Sequence, residues 1–326
     1  MHITRRSLTA ALGLAAVTPF AAGRSMAQAF PTRTVRVLVG FPPGGSTDIF
    51  ARAVAAALSE KWAQPVLVEN RGGANGIIAT EALSRSAPDG YTLMMTISSH
   101  VTNRPLNPNL SYDPLRDFTP LTLVARAPFV FVTHPAFPAR TLQDLIRLAR
   151  EKPGEINYAS PGTGSSQQLA VELFANMAGI KFNHVSYRGG APALMDLVAG
   201  VVPVSLLTTT QVLPMVRDGR VRPLAVTTTG RSAVMPEVPT VAESGVPGYD
   251  ADVWFGLIAP RGVPPEVVAR IHADTSAALA NPALRAQFTS QDATVINGSP
   301  DAFATLMREE DEKWSRVIRE ANIRIE

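Results

Sequence analysis

Residues Val35–Val54 read VRVLVGFPPGGSTDIFARAV, an apolar β-branched run that passes through a glycine-rich turn into a helical repeat. Val35–Val39 has the composition of a buried strand. Pro42 and Pro43 stiffen the exit, and Gly44 and Gly45 permit positive φ and leave backbone N–H groups uncovered. Ser46 or Thr47 is then the expected N-cap of a helix over Asp48–Trp62, whose apolar face is Ile49, Phe50, Ala53, Val54, Ala57 and Leu58. Strand, glycine turn and helix make one α/β unit. The helix N-terminus presents amides and a positive dipole end to an anion, and no lysine accompanies it. Asp48 reads as a first-turn charge favourable to that dipole.

The order recurs at Ile156–Phe174, INYASPGTGSSQQLAVELF. Here Gly162 and Gly164 precede Ser165, which with Gln168 forms an expected capping box, and Gly179 closes the helix. A second echo is RGGA, at Arg71–Ala74 and Arg188–Ala191, each after a strand and before a helix. The two copies follow Gly45 and Gly164 at similar distances, so the chain reads as two lobes of like plan.

Between and beyond these turns the alternation continues. Strands are expected at Val66–Glu69, Thr92–Ile97, Phe129–Thr133, near Tyr158, at Val185–Ser186, Val204–Leu207 and Leu224–Thr227, with a helix over Gly76–Ser86. The proline-punctuated segment RPLNPNLSYDPLRDFTP separates the two series, and the tail from Pro264 reads as mostly helical. Such alternation is the mark of α/β architecture around parallel strands.

The chain opens with Arg5-Arg6, an apolar stretch from Leu8 to Ala22 broken by Gly13, Thr18 and Pro19, and small residues before Phe30. Residues 1–29 read as a cleaved export signal of twin-arginine type, with cleavage after Ala29 preferred to Ala27. Its removal takes away Arg5, Arg6 and Arg24 and no acid, so the 30 basic residues fall to match the 27 acidic ones. A chain that balanced, without a basic cluster, is disfavoured as a nucleic-acid or anionic-membrane binder. Cysteine is absent, which excludes disulfides, thiolate metal sites and cysteine nucleophiles. There is no Gly-Lys-Ser/Thr loop, and Gln167 stands where a dinucleotide fingerprint needs glycine. His100, His134, His184 and His272 lack metal-ligand spacing, no Gly-x-Ser-x-Gly elbow occurs, and each histidine reads as a surface or loop residue. No catalytic residue, metal site or cofactor is expected.

The motifs FPPGGSTD, NRGGANG, PDGYTL, ASPGTGSSQ, YRGGAPALMDLVAG, PLAVTTTGR, PEVPTVAESGVPGY and WFGLIAP, in that order, resemble the periplasmic solute receptors of tripartite tricarboxylate transporters, the Bug family. The resemblance implies a two-lobed α/β fold of the type II periplasmic-binding-protein kind with hinge strands between lobes. Lobe 1 would be residues 30–127 plus 252–326 and lobe 2 residues 128–251, with crossings near Ala125–Pro128 and Asp250–Trp254. It further implies a monomeric receptor that binds a small carboxylate and delivers it to two integral membrane subunits. A ligand sensor, or an enzyme on the same scaffold, is the alternative. The implied ligand-binding residues are Phe41, Gly44, Gly45, Ser46 and Thr47 on one side and Ser160, Thr163, Gly164, Ser165, Ser166 and Thr208 on the other. Many relatives carry an acid shortly after the strand matching Val204–Leu207, where this chain has Thr208, Thr209 and Thr210. Trp254 is implied at the return crossing, with Trp62 and Trp314 on helices that move with lobe 1.

Overall fold

The structure, a computed structural model, describes residues 30–320. The export-signal expectation therefore lies outside the described residues. Strands β1 (Val35–Val39), β2 (Val66–Asn70) and β3 (Thr92–Ile97) form a parallel set in the order β2-β1-β3. Strands β5 (Asn157–Ser160), β6 (Asn183–Ser186) and β7 (Val204–Thr208) form a second set in the order β6-β5-β7, also parallel. The internal echo of the sequence is thus an echo of topology, with β1 answering to β5 and β2 to β6.

Two long antiparallel strands join the sets. β4 (Phe118–Thr133) runs through both, pairing with β9 (Asp252–Pro260) from Phe118↔Pro260 to Pro128↔Asp252. Its last five residues pair with β7, starting at Phe129↔Thr208, and the last four of them also with β8 (Arg222–Val226). The handover falls at Pro128, which has no N–H to give a ladder. Across it, Arg126 holds Asp252 through Nε–Oδ2 and Nη2–Oδ1 contacts of 2.8 and 3.0 Å. The sheet is therefore mixed rather than purely parallel. The last three residues of the proline-punctuated segment, Phe118–Pro120, open β4, with a register shift after Pro120. β10 (Thr294–Gly298), antiparallel to β4, interrupts the expected helical tail.

Helices cover the faces. α1 (Ser46–Trp62), α2 (Ile77–Ser84) and α3 (Ser99–Leu106) belong with the first set, and α4 (Leu142–Glu151), α5 (Ser166–Ala178), α6 (Gly190–Val198) and α7 (Thr209–Arg217) with the second. α8 (Pro265–Ala280), α9 (Pro282–Thr289) and α10 (Pro300–Glu320) complete the chain. α1 buries Phe50, Ala51, Val54, Ala55, Leu58 and Trp62, while Ile49, Ala53 and Ala57 stay half-exposed. The buried stripe is thus turned toward Ala51 and Ala55 relative to the sequence expectation.

Each parallel set has its own core. Leu38, Met94, Trp254, Ile258, Phe303 and Met307 anchor the first, and Val130, Val132, Leu194, Leu197, Leu207 and Val212 the second. A third cluster joins them: Trp314 and Ile318 of α10 and Leu106 of α3 pack with Leu169 of α5. Trp314, on α10, thus also touches the opposite half through Leu169. Trp254, by contrast, lies inside the first core against Phe303, with ring centroids 5.2 Å apart. Opening the cleft should separate Trp314 from Leu169, so ligand-induced change in tryptophan emission is expected to disappear in Trp314→Phe and persist in Trp254→Phe. The reverse result in a fluorescence titration would move the responsive ring back to the crossing strand.

Candidate functional site

Helices α1, α5 and α6 begin where β1, β5 and β6 end, so the turns after these strands meet at the carboxyl edge of both parallel sets. Ligands of open α/β sheets gather at that edge. A cavity of about 300 Å³ lies there. It is lined from the first half by Gly40, Phe41, Pro42, Gly73, Ala74, Asn75, Ile77, Asn103 and Asn107. From the second half come Pro161, Gly162, Thr163, Ser186, Tyr187, Arg188 and Gly189.

The first turn is organised by Asp48. Gly45, in extended conformation and without a side-chain bond, is the N-cap in place of Ser46 or Thr47. Asp48 reaches back to accept the Gly44 N–H at 3.0 Å, while Arg52 and the Asn70 amide also donate to it, at 3.0 and 2.9 Å. The Asn70 amide donates to the Phe41 carbonyl as well, at 3.0 Å, tying β2 to the turn. Burial alone would raise the Asp48 carboxyl, but these hydrogen bonds and the Arg52 charge outweigh it and hold it below its ordinary value. Asp48 is therefore the brace of the turn, a larger part than a first-turn charge.

The second turn is braced in the same manner. Ser165 caps α5 by accepting the Gln168 N–H at 3.2 Å, and the Gln168 side-chain oxygen accepts the N–H of Gly164 at 2.6 Å. The expected capping box thus closes one residue early. Gly162 N–H donates to Ser160 Oγ and Thr163 N–H to Ser186 Oγ. The amides read from sequence as bare are in these four places satisfied by the protein itself. Apart from the Gln168 N–H, which goes to the Ser165 cap, the first-turn donors of α1 and α5 are ones no helix can satisfy internally.

Beneath this turn, His184 Nε2 meets Ser160 Oγ at 2.6 Å and Nδ1 meets Gln168 Nε2 at 3.2 Å. Because the Gln168 oxygen is occupied by Gly164, its amide nitrogen must donate to Nδ1, which leaves the proton on Nε2 facing Ser160. Burial pushes the His184 imidazole down to about 4 and does the same to His100. His100 is buried on α3 against Tyr112 and Phe118, with Nε2 at 3.0 Å from the Pro114 carbonyl. Neither is the surface or loop residue expected, and His272 lies on α8 with Nδ1 2.9 Å from Thr122 Oγ1.

These depressed values carry a sign. The unfolded chain takes up a proton on each imidazole near pH 6.5 and the native state only near 4. Between those limits the unfolded state binds more protons, so stability is full above pH 6.5 and falls as the pH drops toward 4. For His100 the linkage amounts to roughly 3 kcal/mol over that window. Denaturation midpoints in His100→Gln, which keeps a donor for Pro114, are expected to fall less steeply between pH 7 and 4.5 than in the parent. An unchanged slope would assign the proton uptake to another group.

The loop between β2 and α2 is the most unusual backbone at the cavity. Gly73, Ala74, Asn75 and Gly76 take successive φ of 135°, 46°, 52° and 88°. For alanine that region is costly, and such strain concentrates at functional sites. Asn75 Nδ2 donates to Asn103 Oδ1 at 2.8 Å and Asn103 Nδ2 donates to the Asn75 carbonyl at 3.1 Å. A side chain on Gly40 would meet Gly76 Cα at 2.7 Å, so the end of β1 and this loop pack backbone to backbone.

The halves touch across the cleft. Gly189, at φ 117°, packs so closely on Pro42 that an added Cβ would lie 2.6 Å from the Pro42 Cδ. Thr102 Oγ1 lies 3.4 Å from the Gly164 carbonyl. Of the residues named from sequence, Phe41 and Thr163 line the cavity. Gly44 and Gly45 lie further along the first turn, and Ser46, Thr47, Ser160, Gly164, Ser165, Ser166 and Thr208 are buried behind the two turns and at the end of β7. Ser166 Oγ and Thr208 Oγ1 are buried without a hydrogen-bond partner, which is costly for a hydroxyl. Thr209 and Thr210 instead reach the Pro128 and Gln291 carbonyls. Asn75, Asn103, Asn107, Tyr187 and Arg188 were not singled out by sequence, although NRGGANG and YRGGA contained three of them.

The sequence model described as the tripartite tricarboxylate transporter family receptor matches residues 50–323. The chain belongs to this family. The receptor is 36% identical to protein BugT of Bordetella pertussis over 327 residues, covering all of both chains. A structure from R. palustris solved with adipate superposes with a TM-score of 0.88 at 36% identity, over 90% of this chain and 99% of that one. MatC from Rhodopseudomonas palustris, solved with malate, gives 0.84 at 33% identity, over 89% of this chain and all of the other. The receptor therefore has the two-lobed fold of the periplasmic binding proteins and a solute-binding role for a transporter. Among the described residues no helix is long and apolar enough to cross a membrane, and no group of ionisable side chains is placed to hold a metal.

Proposed function

We propose that the receptor, exported to the periplasm by its residues 1–29, binds a small mono- or dicarboxylate in the cavity as a monomer and delivers it to two integral membrane subunits. The lobes are residues 30–127 with 252–326, and 128–251, hinged where β4 passes from β9 to β7. The observation that carries this reading is the cavity itself: turns from both halves line it, the helix N-termini behind them favour negative charge, and no acidic residue lines it. One carboxylate would take the first-turn amides of α1 and α5 together with hydroxyls such as Ser46, Thr47, Ser165, Ser166 and Thr208. The adipate and malate of the related structures support the ligand class.

What supports a receptor over an enzyme is the state of the Ser160–His184 pair, the one Ser–His pair among the described residues. Ser160 is fully buried, and both nitrogens of His184 are engaged within the turn. A thermal-shift screen tests the reading, because a ligand that binds the native state alone raises its stability by RT ln(1 + [L]/Kd). Small carboxylates are expected to raise the transition. A screen in which sugars or cations do so and no carboxylate does would overturn the ligand class.

A further inference from the structure

We propose that Arg188 reads a second carboxylate, so that the receptor selects dicarboxylates over monocarboxylates of equal length; this rests on the carboxylate reading of the cavity. The two RGGA copies differ in what their arginines do. Arg71 is held by Glu69, two residues earlier, at 2.7 Å. At the corresponding place before Arg188 the chain has Ser186, whose hydroxyl is spent on Thr163. Among the described residues Arg188 has no ion pair, and the acid Asp196 is engaged by the Tyr187 hydroxyl at 2.7 Å. Topology gives the two arginines the same station, after the edge strands β2 and β6, but only Arg188 lines the cavity, where it is the one charged side chain.

Its position is set by closure. Gly189 packs on Pro42, which brings Arg188 to the mouth, where it also borders a surface recess with Gly72, Gly73 and Ala74 of the first half. A ligand whose inner carboxylate lies on the helix N-termini would direct its far end toward that mouth. A guanidinium offers a planar fork to a carboxylate, a pairing that a lysine ammonium reproduces only as a point charge. A half-exposed pair of this kind is weaker than a buried one, so the expected selectivity is moderate.

The test is calorimetric titration with chain-matched acids: succinate and butyrate, glutarate and valerate, adipate and hexanoate. The parent is expected to prefer the diacid of at least one pair. Arg188→Gln should weaken that diacid about tenfold and its monoacid less than twofold, Arg188→Lys should recover part of the loss, and Arg71→Gln should change neither. Denaturation curves of the same variants report on folding, which an exposed side chain should leave intact. Equal weakening of both acids by Arg188→Gln, or no weakening of either, overturns the role of Arg188 while leaving a carboxylate receptor standing. A parent that binds none of the acids contradicts the ligand class itself, and this proposal with it.

Discussion

Gly189→Val is expected to lower carboxylate affinity about a hundredfold or more while the protein still folds. A Cβ at this position would sit 2.6 Å from Pro42 Cδ, on the other side of the cleft. The clash exists only when the halves meet, so it penalises the closed state and spares each half. Overpacking of this severity costs about 3 kcal/mol, which is a little over a hundredfold in the closed population and hence in apparent affinity. The backbone adds a separate cost, since φ of 117° suits glycine and strains valine. Gly219→Val controls for that: its φ is 66°, yet nothing lies within 4 Å of an added Cβ. Both variants should lose stability on thermal denaturation, and only Gly189→Val should lose binding by calorimetry. Parallel losses of affinity would mean that closure does not pass through this contact.

Gly164→Val should be nearly as damaging by a different route. Gly164 stands at φ 79°, its N–H goes to Gln168 Oε1 and its carbonyl lies near Thr102 of the opposite half. A β-branched residue is poorly accommodated in the left-handed region, so the turn should shift and carry the N-terminus of α5 out of line. Stability should fall by roughly 1–3 kcal/mol, and affinity should fall beyond what folding explains. Ser165→Ala provides the calibration, because loss of the cap alone costs about 1 kcal/mol. A Gly164→Val protein that binds like the parent would take the second turn out of the site.

The arrangement of the site was legible in sequence wherever local rules decided it. β1, β3 and the glycine turns follow from composition and periodicity, and Gly179 closes α5 at φ 63° as its position implied. Local rules failed where the partner was distant. β4 carries Pro120 and Pro128, residues that suit a strand interior poorly, and its continuity depends on β9 and β7 dividing the strand between them. α3 starts two residues after β3 and contains Pro105, so its short apolar pattern gave no period to read. The occupancy of the turn amides depended on side chains four residues on, Asp48 and Gln168, folding back rather than pointing outward. Asn103 and Asn107 reach the cavity only because α3 is laid against the loop holding Asn75. The contact of Trp314 with Leu169 was not legible for the same reason, since it joins residues from opposite halves.

A crystal structure of the receptor with a carboxylate such as adipate locates the ligand directly. One carboxylate group is expected between the two glycine turns, with first-turn amides of α1 and α5 both at hydrogen-bonding distance, about 3 Å, and Gly189 against Pro42. A ligand gripped by one half alone, or seated in the alanine-lined groove between α1, α8 and α9, would contradict it.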